Sequence, residues 1–332
     1  MLKQLTYIES IHLNPYKNLA AEEHLLLCCG EEEYILYLWQ NSHTVVIGRN
    51  QNAWKECQVS RLEDEGGHLA GRLSGGGAVY HDLGNLNFTF AAHKKNYSVD
   101  RQMKVILRAL ENLGIHGERS GRNDILVDGK KVSGHAFYEK GDRCYHHGTL
   151  MVDVDMGMLS RYLTVSKEKL QSNGVDSVRS RVMNLKEAVP DLTVEKLKIV
   201  LREAFEEEFQ MKAALLTMED LEKQGLERSV EKFSSWDWIY GRRMEFQNEI
   251  SRKFVWGQIS MQFQVRNGIM EEAAVYSDAL KTEIISGLPG YLKGIRYTRD
   301  AVCENLGRYE ASDPGESEIL EEILDWIRSL DF

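Results

Sequence analysis

The pattern of hydrophobic and polar positions predicts two classes of strand. Residues 34–39 and 44–48 are almost continuously apolar, which indicates central strands that are buried on both faces. Residues 86–90 and 259–265 instead alternate apolar and polar side chains, which is the period of a strand with one buried face. Asn267-Gly268 follows the last of these strands and favours a hairpin turn.

Three further strands are predicted from the turns that join them. Asp-Gly at 128–129 favours a tight hairpin, and Lys-Gly-Asp at 140–142 turns the chain again. The strands that these turns join are residues 124–127, 130–138 and 145–152. Four polar residues then lie on or beside neighbouring strands of one small sheet: Asn123, Asp124, Lys131 and His147.

Helical spacing of apolar residues, with capping residues before them and glycines after them, predicts the helices. Asn18 is expected to cap a helix that Gly30 ends, and Thr193 is expected to cap another. Single helices are also expected over residues 53–64 and from Thr217 toward Val230. The other predicted helices are residues 103–113, 156–163 and 319–330.

Length and composition indicate a two-domain globular protein. A chain of 332 residues exceeds the usual size of one core, and the boundary is expected near Gly241-Arg242-Arg243, giving domains 1–243 and 244–332. The formal net charge of −10 argues against a nucleic-acid coat or a general binder of anionic membranes. Any phosphate site must therefore depend on local positive charge and backbone N–H groups.

The five cysteines indicate a reducing compartment. Their number is odd and their spacing does not repeat, so they predict neither a disulfide framework nor a zinc site. The first residues do not lead into an apolar run that is long enough for a signal peptide or a membrane span. We expect a cytoplasmic protein.

The most informative stretch is residues 72–90, RLSGGGAVYHDLGNLNFTF. Its three consecutive glycines allow a close backbone approach, and N–H groups in such a loop can converge on an anion. Arg72 and Ser74 would add a positive charge and a hydroxyl. The loop lacks the Gly-Lys-Ser/Thr ending of a Walker loop and the spacing of a dinucleotide fingerprint. A flexible hairpin hinge is the alternative interpretation of three glycines taken alone.

The longer string RLSGGGAVYHDLGN resembles the signature of lipoate–protein ligases, which use ATP to attach lipoic acid to a lysine of a carrier domain. Further strings match in family order between residues 18 and 241: NLAAEE, TVVIGRNQNAWKEC, SGRNDILV, KKVSG, HHGTL and SVRSRVMNL. SSWDWIYG is typical of the full-length bacterial type with two domains. The resemblance implies an α+β fold. Its catalytic domain, shared with biotin ligases, has a mixed, mainly antiparallel sheet with flanking helices, and a small α+β domain follows.

The resemblance also implies site residues. The family's essential, catalytic lysine corresponds to Lys131, and residues 171–184 correspond to a loop that closes over the acyl-adenylate. ATP or adenylate binding is implied for Arg72, Ser74, Gly75, Gly76, Gly77, Ala78, Val79, Tyr80, Asn123, Asp124, Lys131, Arg179 and Ser180. Lipoate binding is implied for Lys131, Trp39, Glu22, Ser74, His81, Gly134 and His147.

The chemistry of such a ligase requires positive charge and N–H donors around the α-phosphate of ATP, where an acyl-adenylate forms and pyrophosphate leaves. Lys131 is expected between the carboxylate of the acid and this phosphate, and Asn123 at adenylate oxygens. Asp124 is a candidate ligand for Mg²⁺, which prefers oxygen ligands and the phosphates of ATP. His81 and His147 are possible helpers in the attack by the acceptor lysine, although a lone histidine in a sheet is more often a core residue.

The implied partners are apo lipoyl domains, on E2 subunits of 2-oxoacid dehydrogenases or on the H protein of glycine cleavage. Neither nucleic acid nor a membrane is expected as a partner, and we expect a monomer. The chain departs from its relatives at Gly71, where a second arginine is common, and at His135 and Tyr138, where a small residue and an arginine are common. These departures leave the natural acid open.

Two other functions remain as alternatives. A related acyltransferase would move octanoyl or lipoyl groups through a cysteine thioester without ATP, and Cys144 is the cysteine nearest to the motif strands. The second alternative is a lipoate-binding subunit without catalysis. The retained Asn123, Asp124, Lys131 and glycine triplet disfavour it.

Overall fold

The computed structural model describes residues 2–121, 123–164, 182–241, 246 and 248–330. Its strands are β1 (Gln4–Glu9), β2 (Glu33–Trp39), β3 (Thr44–Ile47), β4 (His68–Gly71), β5 (Val79–His81), β6 (Asn85–His93), β7 (Glu118–Ser120), β8 (Asp124–Val127), β9 (Lys130–Lys140), β10 (Arg143–Met151), β11 (Ala213–Leu215), β12 (Asn248–Lys253), β13 (Gln258–Arg266) and β14 (Ile269–Ser277). Its helices are α1 (Pro15–Cys28), α2 (Ala53–Glu56), α3 (Val59–Asp64), α4 (Val99–Asn112), α5 (Met156–Tyr162), α6 (Val194–Phe209), α7 (Met218–Glu222), α8 (Glu227–Ser234), α9 (Trp236–Ile239), α10 (Thr282–Leu292), α11 (Arg299–Leu306) and α12 (Pro314–Arg328).

The largest sheet has the strand order β11-β1-β2-β6-β10-β9-β8-β7 within the described ranges. β1 pairs in parallel with β2 and β11, and the other neighbours pair antiparallel. Helices α4 and α6 cover one face of the sheet, and α1, α7 and α8 cover the other. The predicted mixed, mainly antiparallel sheet with flanking helices is confirmed.

A second sheet carries the glycine loop. Its order is β4-β3-β5, with β3 parallel to β4 and antiparallel to β5. The loop over residues 72–78 therefore connects two strands that have β3 between them, and the hairpin alternative is wrong. β2 and β3 are buried over almost their whole length, as their apolar sequences predict.

The C-terminal domain is a three-stranded antiparallel sheet, β12-β13-β14, packed against α10, α11 and α12. Asn267 and Gly268 form the β13–β14 turn, and both have positive φ (50° and 76°). Because both central residues are left-handed, the turn matches the twist of the two strands. The predicted separate α+β domain, with a hydrophobic core of its own, is confirmed.

The predicted cap of the first helix is wrong. Asn14, not Asn18, caps α1, and the side chain of Asn14 accepts bonds from two N–H groups of the first turn. Asn18 lies one turn into the helix and is buried, and its amide donates to Gln40 O and Asn41 Oδ1. An asparagine inside a helix can satisfy its polar side chain in this way when the tertiary fold supplies acceptors.

Two predicted long helices are each divided in two. Residues 53–64 form α2 and α3, which are separated at Cys57, where the backbone is extended and bridges to Leu163. The helix predicted from Thr217 is divided at Gly225, which has a φ of +91°. β6 also departs from the prediction, because both of its faces are buried along its whole length. No helix in the described part of the chain is long and apolar enough to cross a membrane.

Candidate active site

The lysine of the KKVSG string lies at a β-bulge. β8 and β9 pair so that Ile125 lies opposite Ser133 and Leu126 lies opposite Lys131. Val132 is therefore an extra residue in β9. A bulge of this kind interrupts the alternation of side chains between the two faces of a strand.

The bulge turns Lys131 toward the glycine loop. Ala136 faces this loop, since its Cβ is 4.0 Å from the position that a Cβ on Gly76 would occupy. Strict alternation from Ala136 would put Lys130 on the same face. Instead, Nζ of Lys131 is 2.9 Å from the Cβ position of Gly134, so Gly134 leaves room for the lysine, and Lys130 is exposed.

Two polar residues of the SGRND string surround this lysine. Asp124 Oδ1 is 2.7 Å from Nζ of Lys131, and both side chains are about two-thirds buried, with relative exposures of 31% and 35%. Asn123 is fixed to β9, because its Nδ2 donates to His135 O (3.1 Å) and its carbonyl accepts from the His135 N–H (2.9 Å). The four residues predicted to share one sheet region do so, with His147 on the adjacent strand β10.

Arg72 organises the glycine loop from inside. It is buried, and its guanidinium donates to Gly75 O (2.7 Å), Gly77 O (2.8 Å) and Val46 O (3.2 Å). Its Nε also donates to Ser74 Oγ at 3.2 Å. Burial lowers the pKa of Arg72 to about 10, which leaves it charged at neutral pH. The sequence predicts that the charge of Arg72 contacts a phosphate, but in the structure the guanidinium contacts backbone carbonyls.

The same contacts orient the N–H groups of the loop. In a trans peptide the C=O and N–H bonds point in opposite directions. Because the carbonyls of Gly75 and Gly77 point at Arg72, the N–H groups of Gly76 and Ala78 point away from it. Gly76 has a φ of +93°, which a side chain would disfavour. The loop thus presents N–H donors on the side opposite its buried guanidinium.

The C-terminal domain packs against the glycine loop. A Cβ on Gly75 would lie only 2.1 Å from Ala279 O, and the Cβ position of Gly76 is 3.7 Å from Cδ2 of Leu280. Glycine at position 75 is therefore needed for this close approach. In this structure the loop lies between the catalytic sheet and the C-terminal domain.

Asn50 connects the two domains. It is 1% exposed, and its Nδ2 donates to Thr282 O, its carbonyl accepts from the Ser277 N–H, and its Oδ1 accepts from Ser286 Oγ. Each of these distances is 2.9 Å. A buried asparagine with this many partners fixes the relative position of the segments that it joins.

A chain of buried hydrogen bonds lies beneath the glycine loop. Ser74 Oγ is 2.7 Å from His147 Nε2, and His147 Nδ1 is 2.8 Å from Glu22 Oε1. Thr89 Oγ1 donates to the same Glu22 oxygen at 2.6 Å, and Trp39 Nε1 donates to Thr89 Oγ1 at 3.1 Å. The structure thus connects four of the predicted lipoate-binding residues, which come from four separate parts of the chain.

His81 lies beside this hydrogen-bonded chain. It is buried, its Nδ1 is 3.3 Å from Asn41 Nδ2, and its ring lies edge-on to Trp39 at 6.2 Å. Its Nε2 has no hydrogen-bond partner among the described residues. Burial, followed by the charges of Arg72 and His147, lowers the pKa of His81 to about 3. His81 is therefore neutral near pH 7 and has a polar atom that could contact a ligand.

The remaining predicted contacts vary in position. Ala78 and Val79 are partly exposed at the end of the glycine loop. The Tyr80 side chain is buried against Tyr162 and His43, with ring centroids 5.6 and 6.2 Å away. It therefore belongs to a hydrophobic cluster. Arg179, Ser180 and almost all of the predicted lid lie outside the described residues, although Met183 N, just after them, donates to Lys131 O.

The departure at Gly71 lies in close contact with Trp238. Trp238 Nε1 donates to Gly71 O at 2.7 Å, and a Cβ at position 71 would lie 3.2 Å from the same nitrogen. The guanidinium of Arg49 stacks on the Trp238 indole at 4.3 Å. Arg49 therefore places a cation on the same tryptophan that contacts residue 71, where relatives commonly have a second arginine.

The departures at His135 and Tyr138 lie on opposite faces of β9. His135 is buried and hydrogen bonded to Ser133 (2.9 Å) and to His146 (2.6 Å), on the α4 side of the sheet. Tyr138 is half-buried on the other face, 5.4 Å from the Tyr145 ring. Tyr138, and not His135, is therefore placed where it could line an acyl pocket.

Cys144 lacks the properties of an acyl-carrying thiol. Its side chain is buried, and burial together with the charge of Glu139 raises its pKa to about 11. A thiol with such a pKa is almost entirely protonated near neutral pH and is a poor nucleophile. The structure does not favour the cysteine-dependent alternative.

The described residues contain no cluster of three or more histidine, cysteine, aspartate or glutamate side chains that could hold a metal ion. Asp124 is a single carboxylate that is already paired with Lys131. A single carboxylate suits a Mg²⁺ ion that arrives bound to the phosphates of ATP, because such ions often take only one or two protein ligands.

Sequence analysis did not identify several residues that shape this site: Gly48, Arg49, Asn50, Thr89 and Ala136. Gly48 is required because a Cβ there would lie 2.2 Å from Gly76 O. A glycine that ends a buried strand beside a second glycine-rich segment is the sequence signal that could have predicted this contact.

Comparison with known protein families gives two matches, one to each part of the chain. The profile of the lipoyl protein ligase A/B catalytic domain matches residues 14–206, and that of the bacterial lipoate protein ligase C-terminus matches residues 243–327. The chain is 40% identical to a lipoate-protein ligase A of Bdellovibrio bacteriovorus, over 96% of this chain and 98% of that protein. It is 37% identical to a lipoate-protein ligase A of Psychrobacter cryohalolentis, over 98% of each.

Solved structures agree with these matches. The P. falciparum LipL1 structure in complex with lipoate superposes with a TM-score of 0.85 at 30% identity, covering 97% of this chain and 99% of that one. A bi-partite lipoate protein ligase and its E2 lipoyl domain from Thermoplasma acidophilum give 0.65 at 27% identity, over 74% and 98%. A lipoate-protein ligase A bound with ATP gives 0.63 at 26% identity, over 73% and 99%.

Proposed function

The chain belongs to the lipoyl protein ligase A/B family, and from that premise we propose that it is an ATP-dependent lipoate–protein ligase. It converts lipoate to lipoyl-AMP with release of pyrophosphate, and then transfers the lipoyl group to one lysine of an apo lipoyl domain. The observation that carries this proposal is that the Lys131 ammonium and the glycine loop lie on the same face of β9, since Lys131 lies beside Gly134 and the loop lies beside Ala136.

The first half-reaction joins a carboxylate oxygen of lipoate to the α-phosphorus of ATP, and the bond to pyrophosphate breaks. Lys131 is the cation beside both anions, and its compact ammonium balances charge that develops on the α-phosphate. The N–H groups of Gly76 and Ala78 are fixed donors for phosphate oxygens. Asn123, held against β9, contributes to binding of the adenylate.

Asp124 is the residue that would hold a Mg²⁺ ion bound to the phosphates of ATP, because its carboxylate lies 2.7 Å from Lys131 at the site. Such an ion would supply positive charge for the departing pyrophosphate.

Lipoate binding is assigned to the buried chain of Glu22, His147 and Ser74, with Trp39 and His81 beside it. The ATP-bound and lipoate-bound relatives support this choice of substrates. Tyr138 lies on the face of β9 that holds the site, where relatives commonly have an arginine, so this chain binds its acid without that cation. Lipoate and octanoate are therefore both to be tested.

A carrier lipoyl domain is the partner in the second half-reaction, as the relative described with its E2 lipoyl domain suggests. The H protein of glycine cleavage is a second candidate carrier. We further propose that the catalytic unit is residues 1–243, that residues 244–332 form the accessory domain, and that the protein is a monomer.

The proposed function is tested by pyrophosphate release from ATP with lipoate, octanoate or no acid, followed by addition of apo lipoyl domains. We expect acid-dependent release, and a mass increase on the carrier that requires ATP. Acyl transfer without ATP would indicate an acyltransferase. Lipoate binding without pyrophosphate release would indicate a binding subunit. Light scattering, which measures the molar mass in solution, tests whether the protein is a monomer.

A further inference from the structure

We infer that Ser74, His147 and Glu22 form a proton relay, which takes the proton from the attacking amine during transfer to the carrier. The inference rests on the proposed ligase function and adds a role for these residues beyond holding lipoate. Ser74 Oγ, His147 Nε2, His147 Nδ1 and Glu22 Oε1 form a continuous chain with links of 2.7 and 2.8 Å.

The direction of every hydrogen bond in this chain is fixed by its two ends. The guanidinium of Arg72 and the indole of Trp39 have only donors, so Ser74 Oγ accepts from Arg72 and Thr89 Oγ1 accepts from Trp39. Thr89 then donates its own hydrogen to Glu22. All bonds in the chain therefore point toward the Glu22 carboxylate.

This direction prepares His147 to receive a proton. Because a carboxylate only accepts, Nδ1 of His147 carries the hydrogen that is donated to Glu22. The lone pair of Nε2 then faces the Ser74 hydroxyl, which donates to it. When Ser74 passes its hydrogen to Nε2, its oxygen can take up another hydrogen in its place. The same three-residue logic, with an acid that orients a histidine beside a hydroxyl, serves proton transfer in other enzymes.

Burial shields the relay from bulk water. Ser74, His147 and Glu22 are 0%, 6% and 1% exposed, so little water competes with this chain for a proton. The other titratable or charged groups near His147 are Arg72, His81 and Tyr145, and the His135–His146 pair lies across the sheet. The carboxylate of Glu22 contacts the His147 ring, with 2.8 Å between Oε1 and Nδ1.

The transfer step balances as follows. The nitrogen lone pair of the carrier lysine forms the amide C–N bond at the lipoyl carbonyl, and the C–O bond to AMP breaks, with the electron pair leaving on the phosphate. The extra N–H proton passes to Ser74 Oγ while the serine proton passes to His147 Nε2. The resulting imidazolium, paired with Glu22, returns its proton to solvent after AMP and the lipoylated carrier leave.

His147→Gln tests the relay, because glutamine can accept the Ser74 hydrogen bond but cannot take up its proton. Lipoyl-AMP is supplied ready-made, and its single-turnover transfer to an apo lipoyl domain is followed across pH. We expect transfer to slow by about a hundred-fold or more, the usual contribution of general base catalysis. In the wild type, a plot of the logarithm of the transfer rate against pH should have a slope of about two at acid pH, because the amine and the imidazole must both lose protons. In the variant, the slope of the same plot should be about one, because only the amine must lose a proton.

His146→Gln is the matched control. This neighbouring histidine is equally buried but bonds to His135 and Gln102 on the other face of the sheet. It should keep the wild-type slope even if it lowers the melting temperature. If His147→Gln does not fold, Glu22→Gln, which keeps the shape of the relay but removes the charge, should slow transfer by at least about ten-fold.

The possible outcomes separate the relay from the function itself. Wild-type protein that forms no lipoyl-AMP from ATP would contradict the proposed ligase. Wild-type protein that forms it, together with His147→Gln or Glu22→Gln transferring at the wild-type rate and with the wild-type slope, would overturn the relay alone. A slower His147→Gln with an unchanged slope would reduce His147 to a structural role.

Discussion

The ammonium of Lys131 and the carboxylate of Asp124 form an ion pair, with 2.7 Å between Nζ and Oδ1. The pair lies on the face of β9 that meets the glycine loop, where the β-bulge at Val132 directs the lysine. A partly buried cation with one carboxylate partner is held in place before a substrate arrives, so that its position requires little reorganisation when phosphate charge develops.

Lys131→Ala should nearly abolish lipoate-dependent pyrophosphate release. Loss of a fixed cation beside a developing phosphate charge typically costs on the order of 3–4 kcal/mol, or roughly a hundred- to thousand-fold in rate. Lys131→Arg should restore this rate only in part, because a planar fork does not replace a point charge. Initial rates at saturating ATP measure the effect.

Lys130→Ala is the control for this prediction. Lys130 is exposed and does not face the loop, so its variant should release pyrophosphate at close to the wild-type rate. A folded Lys131→Ala protein with normal adenylation, or equal losses in the two variants, would show that the catalytic lysine has been assigned to the wrong position.

Arg72→Lys should destabilise the protein as well as slow adenylation. A lysine cannot reproduce the fork that binds the carbonyls of Gly75 and Gly77, and hydrogen bonds from a charged donor contribute about 1.5–3 kcal/mol each. We expect the free energy of unfolding, measured by urea titration, to fall by about 2–3 kcal/mol. Unchanged stability with a raised KM for ATP would instead indicate that Arg72 binds phosphate directly.

Cys144→Ser should retain most of the ligase activity. The thiol is buried with a pKa of about 11, and the proposed mechanism places no acyl group on it. Mass spectrometry of protein quenched during turnover measures any acyl-enzyme. A hydroxylamine-sensitive acyl-enzyme that disappears in this variant would establish the acyltransferase alternative.

A protein truncated to residues 1–243 should bind lipoate or lipoyl-AMP but transfer the lipoyl group poorly. The truncation removes the partners of Asn50 and the contact between Gly75 and Ala279. Calorimetry measures binding, and carrier mass measures transfer. Asn50→Ala in the full-length chain should weaken the same domain contact to a smaller extent. Complete carrier lipoylation by the truncated protein would contradict the need for the second domain.

Acid should destabilise the fold through the buried pair His135 and His146. Burial lowers the pKa of His135 to about 3 and that of His146 well below its usual range. Between the unfolded value near 6.5 and these folded values, the unfolded state binds more protons, so stability falls as pH falls. From pH 7 to 5, the loss should be on the order of 2 kcal/mol for His135, and His146 adds to it in the same direction.

The double variant His135→Gln/His146→Gln should unfold with a smaller dependence on pH, whatever its stability at pH 7. His81, whose pKa is also about 3, supplies a remaining slope. Urea titrations at several pH values measure both proteins. Equal pH dependence in the two proteins would exclude the histidine pair as a source of acid sensitivity.

The sequence by itself determined the features that depend on short stretches of chain. The Asp128-Gly129 turn forms as predicted, with positive φ at both residues (50° and 73°), because its two residues favour that conformation locally. Thr193 caps α6, and Gly114, with a φ of +76°, follows α4. The motif strings were also sufficient to identify the family, since the order of residues defines them.

The tertiary structure alone decided where the chemical groups point. Strict alternation along β9 would place Lys130 on the face of the strand that holds the site. The register with β8 introduces a bulge, and the bulge places Lys131 on that face instead. Arg72 donates to carbonyls of its own loop and to Val46 O of β3, a strand that pairs with β4. The relay brings Glu22 of α1 to His147 of β10, 125 positions apart in the chain. Side-chain direction depends on strand register and helix packing, and these are set by contacts between distant segments that no local pattern contains.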